Sequence, residues 1–208
     1  MQKQDEKRSV SPFNQIEKTS PFKTMLVLSM AGSTILFIAV SMLYVITVFK
    51  NDAIGMFRMP VAFAFSTVFL LLSSFSLSSS KRNFKNDNIK GLRSGLQLTM
   101  ILGVIFAVCQ VAGWYQMVKA GMFLNTAPGV AYLYVISGLH FVHVLGGMAY
   151  LGHIMYTQSG LRSDLAGSLL YLSEKNNLTK LDLITTYWHF VDGLWVVLYF
   201  MFLFTFQF

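Results

Sequence analysis

Five long stretches without charge dominate this sequence. Residues 25–49, 59–80, 94–118, about 126–158 and 183–206 are apolar runs. The first four contain no Asp, Glu, Lys or Arg, and the fifth contains only Asp192. A helix crosses the hydrocarbon core with ~20 predominantly apolar residues. No water is available there, so the backbone must satisfy its own N–H and C=O groups, which a helix does within one segment. The runs therefore predict an all-α integral membrane bundle of five transmembrane helices. Composition agrees: of 208 residues, 54% are hydrophobic and 12% charged, whereas a soluble domain carries about 25% charge.

Residues 1–24 form a polar N-terminal tail with Pro12 and Pro21, and residues 25–208 form the transmembrane domain. A secretory signal would place a shorter apolar region near the start with a small-residue cleavage site, so the first run reads as a retained helix. Lys and Arg set the orientation, because they collect in cytoplasmic loops. The tail, the second loop and the fourth loop together carry thirteen of them, and the other two loops carry Lys50, Arg58 and Lys119. This split predicts a cytoplasmic N-terminus and an external C-terminus. The net charge of +7 is accounted for by the same rule, so nucleic acid is not an expected partner. Cys109 is the single cysteine, which excludes an intrachain disulfide and a paired-thiolate metal site.

All four histidines fall in the last two runs: His140, His143 and His153 in the fourth and His189 in the fifth. His140 and His143 are three residues apart, as are His189 and Asp192, so each pair projects from roughly one helix face. An ionised carboxylate at bilayer depth costs about 2.5–3.5 kcal/mol on insertion scales. Asp192 is therefore expected to face the protein interior and to contact His140 or His143 across a helix interface. A second pair, His153 with Asp182, is expected nearer the cytoplasmic edge. Three roles fit these groups: interhelical polar contacts, axial haem ligation by two imidazoles, or a proton or ion route carried by Asp192. The third run adds Gln97, Gln110 and Gln116 but no acid to extend such a route. The repeated serines of "FSTVFLLLSSFSLSSS" read as small residues for close packing. Trp114 and Tyr115 fit an aromatic belt at the membrane interface.

"SGLHFVHVLGG" followed by "YWHFVDGLWVVLYF" resembles subunit III of the haem-copper oxidases, the cytochrome c and quinol oxidases of respiration. The family's His-x-x-His-Val element corresponds to His140–Phe141–Val142–His143–Val144. Its Trp-His-Phe-Val/Leu-Asp-x-x-Trp element corresponds to the eight residues from Trp188 to Trp195. "STVFLLLSSFSL" and "LQLTMILGVIFAVCQVAGWYQ" resemble two further helices of the family, and Asp182 stands where many relatives have Glu. Five spans suit the shorter bacterial form.

The resemblance implies an accessory, non-redox subunit of a proton-pumping oxidase that reduces oxygen to water, with cytochrome c favoured over quinol as donor. It implies no catalytic residue, cofactor or metal in this chain, haem and copper being held by partner subunits. The implied partners are oxidase subunits I and II and membrane lipids, with room for a larger respiratory supercomplex. The implied location is the bacterial inner membrane, as a multi-pass protein. His140, His143, His189 and Asp192 would form a buried polar network holding the last two helices together. Alternatives are a quinol oxidase subunit, a nitric-oxide-reductase-associated homologue and, in a different class, a haem b or quinone-binding membrane anchor. Two departures stand out. Gly32 or Ser33 occupies the place of an acid that many relatives carry in the first helix, and Gly113 stands where a Glu is often found.

Overall fold

The computed structural model describes residues 21–51, 59–159 and 175–207. They form five helices and, among the described residues, no strand: α1 (Pro21–Asn51), α2 (Val61–Lys85), α3 (Ile89–Lys119), α4 (Pro128–Ser159) and α5 (Lys175–Gln207). All five are long and apolar enough to span a membrane. Residues 1–20 of the expected tail, and loop residues 52–58 and 160–174, lie outside the described residues.

The helices outrun their apolar windows because polar turns continue them. α2 extends through Lys81, Arg82 and Lys85, and α3 starts five residues before its charge-free run begins at Ser94. The link between them is short. Asp87 takes a left-handed conformation at φ 54°, which Asp and Asn tolerate better than most residues. The Asn88 side chain then caps α3 by accepting from the Gly91 N–H at 3.0 Å, satisfying one of the first-turn donors. At the far end of α3, Gly121 sits at φ 81°. Its N–H reaches the Val118 carbonyl at 3.1 Å, while that of Met122 reaches Met117 at 3.0 Å. This paired closure needs a left-handed residue, for which glycine has no Cβ penalty. Pro128 then opens α4, where a missing N–H costs nothing.

α2 and α3 form a close antiparallel hairpin. A Cβ on Gly95 would collide with the Ser80 hydroxyl, and Ser76 Oγ donates to the Gly95 carbonyl at 3.0 Å. Small residues on both helices allow that approach, as is common where lipid supplies no hydrophobic drive between helices. α5 packs against α2, α4 and α1, and α4 packs against α3, α5 and α1. One core centres on Trp195, Phe106, Phe63 and Phe202. A second lies toward the α2–α3 turn around Leu77, Leu92, Leu151 and Trp188. α1 is peripheral: 6% of its apolar window is buried, against 33–39% for the other four helices.

Candidate functional site

The "TYWHFVDGLWVVLYF" segment lies on α5, and its polar groups turn toward α2. The indole N–H of Trp188 donates to Ser73 Oγ at 3.0 Å, and that of Trp195 donates to Thr67 Oγ1 at 3.0 Å. His189 is hydrogen-bonded through Nδ1 to Ser74 Oγ at 2.6 Å and through Nε2 to Ser78 Oγ at 2.9 Å. The Asp192 carboxyl is buried, and its Oδ2 has no hydrogen-bond partner. Farther along, Lys81 Nζ meets Asp182 Oδ1 at 2.8 Å. Ser74 to Lys81 and His189 back to Asp182 are each seven residues, about two turns. The ion pair therefore repeats the Ser74–His189 register. Hydroxyls and one lysine on α2 thus form a ladder that binds α5.

The remaining histidines go elsewhere. His140 is fully buried, stacked on Trp195 at 4.8 Å between centroids with 27° between planes, and flanked by the edge of Phe106 at 5.8 Å. Neither of its nitrogens has a hydrogen-bond partner. His143 turns to α1: its Nε2 is 3.1 Å from Ser33 Oγ, its Nδ1 is bonded to the Leu139 carbonyl at 2.8 Å, and its ring meets Phe37. Tyr187 Oη donates to the His143 carbonyl at 2.9 Å, tying α5 to α4.

The expected contact between Asp192 and His140 or His143 is therefore corrected, and with it a single network of His140, His143, His189 and Asp192. Residues three apart on a helix diverge by about 60°. On α4 that angle sends His140 into the core, where neither nitrogen has a partner, and His143 to α1, where both nitrogens meet groups other than Asp192. The expected pair of His153 with Asp182 is corrected too. Asp182 pairs with Lys81, and the His153 side chain is exposed. Trp114 also departs from the belt expectation, because its N–H donates to Ser137 Oγ at 3.0 Å and its ring packs on Phe141. Tyr115 does face outward, with the Lys119 ammonium 4.7 Å from its ring centroid.

A helix-to-helix ladder of this kind, built on the Trp-His-Phe-Val-Asp-x-x-Trp element, accompanies a match of residues 35–206 to the family model "Cytochrome c oxidase subunit III". The chain belongs to that family. The cytochrome c oxidase subunit 3 of Bacillus sp. (strain PS3) is 27% identical over 176 residues, covering 83% of this chain and 80% of that protein. The corresponding protein of Thermostichus vulcanus is 29% identical over 134 residues, 64% of this chain and 61% of the relative. The quinol oxidase subunit 3 of Bacillus subtilis (strain 168) is 26% identical over 138 residues, 64% of this chain and 60% of that protein.

In this oxidase subunit III the two departures acquire a structural setting. Of Gly32 and Ser33, the serine is the one that reaches a polar partner, His143. At Gly113, a Cβ would collide with the Phe63 ring. An aromatic side chain from α2 fills the space where an acidic side chain would begin. Among the described residues, no group of three or more His, Cys, Asp and Glu could hold a metal ion. Both nitrogens of His143 and of His189 are already engaged with hydroxyl or carbonyl oxygens.

The residues that sequence reasoning missed are the receiving ones: Ser33, Thr67, Ser73, Ser74, Ser78 and Lys81. Their signal was present in the serine-rich run of α2. Thr67, Ser74 and Ser78 recur at helical spacing, and Lys81 continues the same face three residues on. Tyr44 was also missed; its hydroxyl lies 2.6 Å from Thr205 Oγ1, fully buried, and fastens α1 to α5.

Proposed function

We propose that this chain is the accessory, non-redox subunit III of a proton-pumping bacterial terminal oxidase that reduces oxygen to water. It lies in the inner membrane with its N-terminus cytoplasmic, and residues 1–24 form a polar tail. Its partners are subunits I and II, which hold the haem and copper, together with surrounding lipids and, in a larger assembly, a respiratory supercomplex. Its work is to support assembly, proton uptake and stability of the catalytic subunit.

The observation that carries this reading is the employment of the family's signature residues. Trp188, His189 and Trp195 all bond hydroxyls of α2. Groups spent on neighbouring helices build a scaffold. Polar contacts between membrane helices contribute about 0.6 kcal/mol each on average, so several in register hold α5 at one depth and rotation. The thirteen-to-three distribution of Lys and Arg supports the orientation.

The test is to isolate the native complex from membranes and identify its subunits. Subunits I and II should accompany this chain, and haem should follow subunit I in stoichiometry. A Soret band stoichiometric with the purified chain alone would replace this reading by a haem-binding anchor. The donor is cytochrome c in the favoured reading. The Bacillus subtilis relative is named for quinol oxidation, which gives quinol as the second reading, and assaying the complex with each donor separates them. A complex that reduces nitric oxide instead of oxygen would indicate the remaining family alternative.

A further inference from the structure

Five buried side-chain atoms in the core have no hydrogen-bond partner within the chain: both amide atoms of Gln110, both ring nitrogens of His140, and Oδ2 of Asp192. The three residues come from α3, α4 and α5 and are 0%, 0% and 4% exposed. Burying a polar group costs free energy unless something bonds it. Each such atom in a native core therefore calls for a physical reason.

The three residues surround one place. The His140 ring stacks on Trp195 of α5 and meets the edge of Phe106 of α3, and those two aromatics meet each other at 5.5 Å. Gln110 follows Phe106 by four residues and Asp192 precedes Trp195 by three, so each lies about one turn from this aromatic triangle on roughly the same helix face. A Cβ on Gly103 would lie 3.5 Å from Trp188, one level below the contact of Phe106 with Trp195. α3 and α5 therefore run in the same direction. Gln110 and Asp192 then flank the triangle from opposite sides, about 10 Å apart along the axis, with the imidazole between them. Held between Trp195 and Phe106, that ring cannot turn toward either without leaving its stack.

The atoms ask for mixed chemistry. A neutral imidazole presents one donor and one acceptor, an amide presents both, and a carboxyl oxygen accepts. A cation would be opposed by the N–H donors and an anion by the carboxyl. Water satisfies all three, and a buried water makes about three bonds to otherwise unsatisfied groups.

We propose that the core between α3, α4 and α5 is a water-binding site, in which ordered waters join Gln110, His140 and Asp192 along the bundle axis. One water on each imidazole nitrogen reaches toward the Gln110 amide on one side and the Asp192 carboxyl on the other. The site lies wholly inside this chain and needs no partner subunit. It gives the membrane-embedded acid a hydrogen-bonding medium that lipid does not supply. Ordering a water offsets much of what its bonds return, and an apolar side chain at His140 removes a water and its unpartnered nitrogens together. Hydration, not Tm, therefore reads the site.

Pulsed X-ray radiolysis turns ordered water into hydroxyl radicals, which oxidise the side chains beside it. Phe106 and Phe202 are both fully buried, but Phe106 borders the site, whereas Phe202 packs on Tyr44, whose hydroxyl is already bonded to Thr205. In the full chain purified from membranes, mass spectrometry should find Phe106 oxidised and Phe202 untouched. A Phe106 yield equal to or below that of Phe202 overturns the proposal. Gln110→Leu combined with His140→Leu removes four of the five unpartnered atoms and should abolish the oxidation of Phe106. Should that pair fail to fold, Gln110→Met keeps the side-chain length and should lower the Phe106 yield. An unchanged yield in whichever variant folds also overturns the proposal.

Discussion

Ser74 Oγ lies 2.6 Å from His189 Nδ1 and Ser78 Oγ lies 2.9 Å from its Nε2, so two hydroxyls of α2 one turn apart hold both nitrogens of the α5 imidazole. Trp188, the residue before His189, is 3% exposed and donates its indole N–H to Ser73 Oγ at 3.0 Å.

Ser73→Ala should therefore destabilise more than its size suggests. A buried donor left without its acceptor costs about 1–3 kcal/mol, whereas an average interhelical contact is worth about 0.6 kcal/mol. In thermal unfolding of the purified chain in nanodiscs, Ser73→Ala should lower Tm more than Ser74→Ala. At Ser74 the lost bond is to His189, which is exposed and keeps its bond to Ser78. Equal effects would show that burial of the Trp188 indole N–H does not set the cost.

His140 gives the opposite expectation. Its imidazole is buried with neither nitrogen bonded, and its stabilising contacts are the Trp195 stack and the Phe106 edge. Replacing an unpartnered polar group by an apolar one of similar shape is close to neutral or stabilising. His140→Phe and His140→Leu should leave Tm at or above wild type. A fall of several degrees in both would mean that the ring nitrogens carry an interaction.

Lys81 and Asp182 are both substantially exposed. A double-mutant cycle on them should give a coupling of about 0.2–1 kcal/mol that shrinks as salt is raised. The same cycle on His153 and Asp182 should give none. Coupling between His153 and Asp182 would restore the pairing that sequence spacing had suggested.

Much of the fold was legible because bilayer thickness and backbone hydrogen bonding leave little choice for charge-free runs of this length. The helix ends were less so. Lys81, Arg82 and Lys85 carry α2 past its apolar run because Lys and Arg are good helix formers, and α3 opens five residues before its own because Asn88 caps it there. For the site, sequence found the costly residues, His189 and Asp192, but not the α2 hydroxyls that hold His189. Spacing along a helix fixes depth; the partner is chosen by rotation about the axis, which depends on how α2, α4 and α5 pack together. The hydroxyls were also easy to discount. Ser73 and Thr67 each bond their own helix carbonyls as well as an indole, a local habit that conceals interhelical use.

Gly113 offers a test of why this chain lacks an acid there. Gly113→Glu forces a side chain into the Phe63 ring, and overpacking of this kind costs about 1–3 kcal/mol or more. Adding Phe63→Ala should make Gly113→Glu less costly than it is in the wild-type background, as a thermal-unfolding double-mutant cycle would show. Strict additivity would mean that the two positions do not share space.

The most direct test of the central claim is a high-resolution structure of the assembled oxidase, read at His189. The account expects its two nitrogens within hydrogen-bond distance of Ser74 and Ser78, and all haem and copper in the partner subunits. Iron or copper coordinated by His140, His143 or His189 would contradict it.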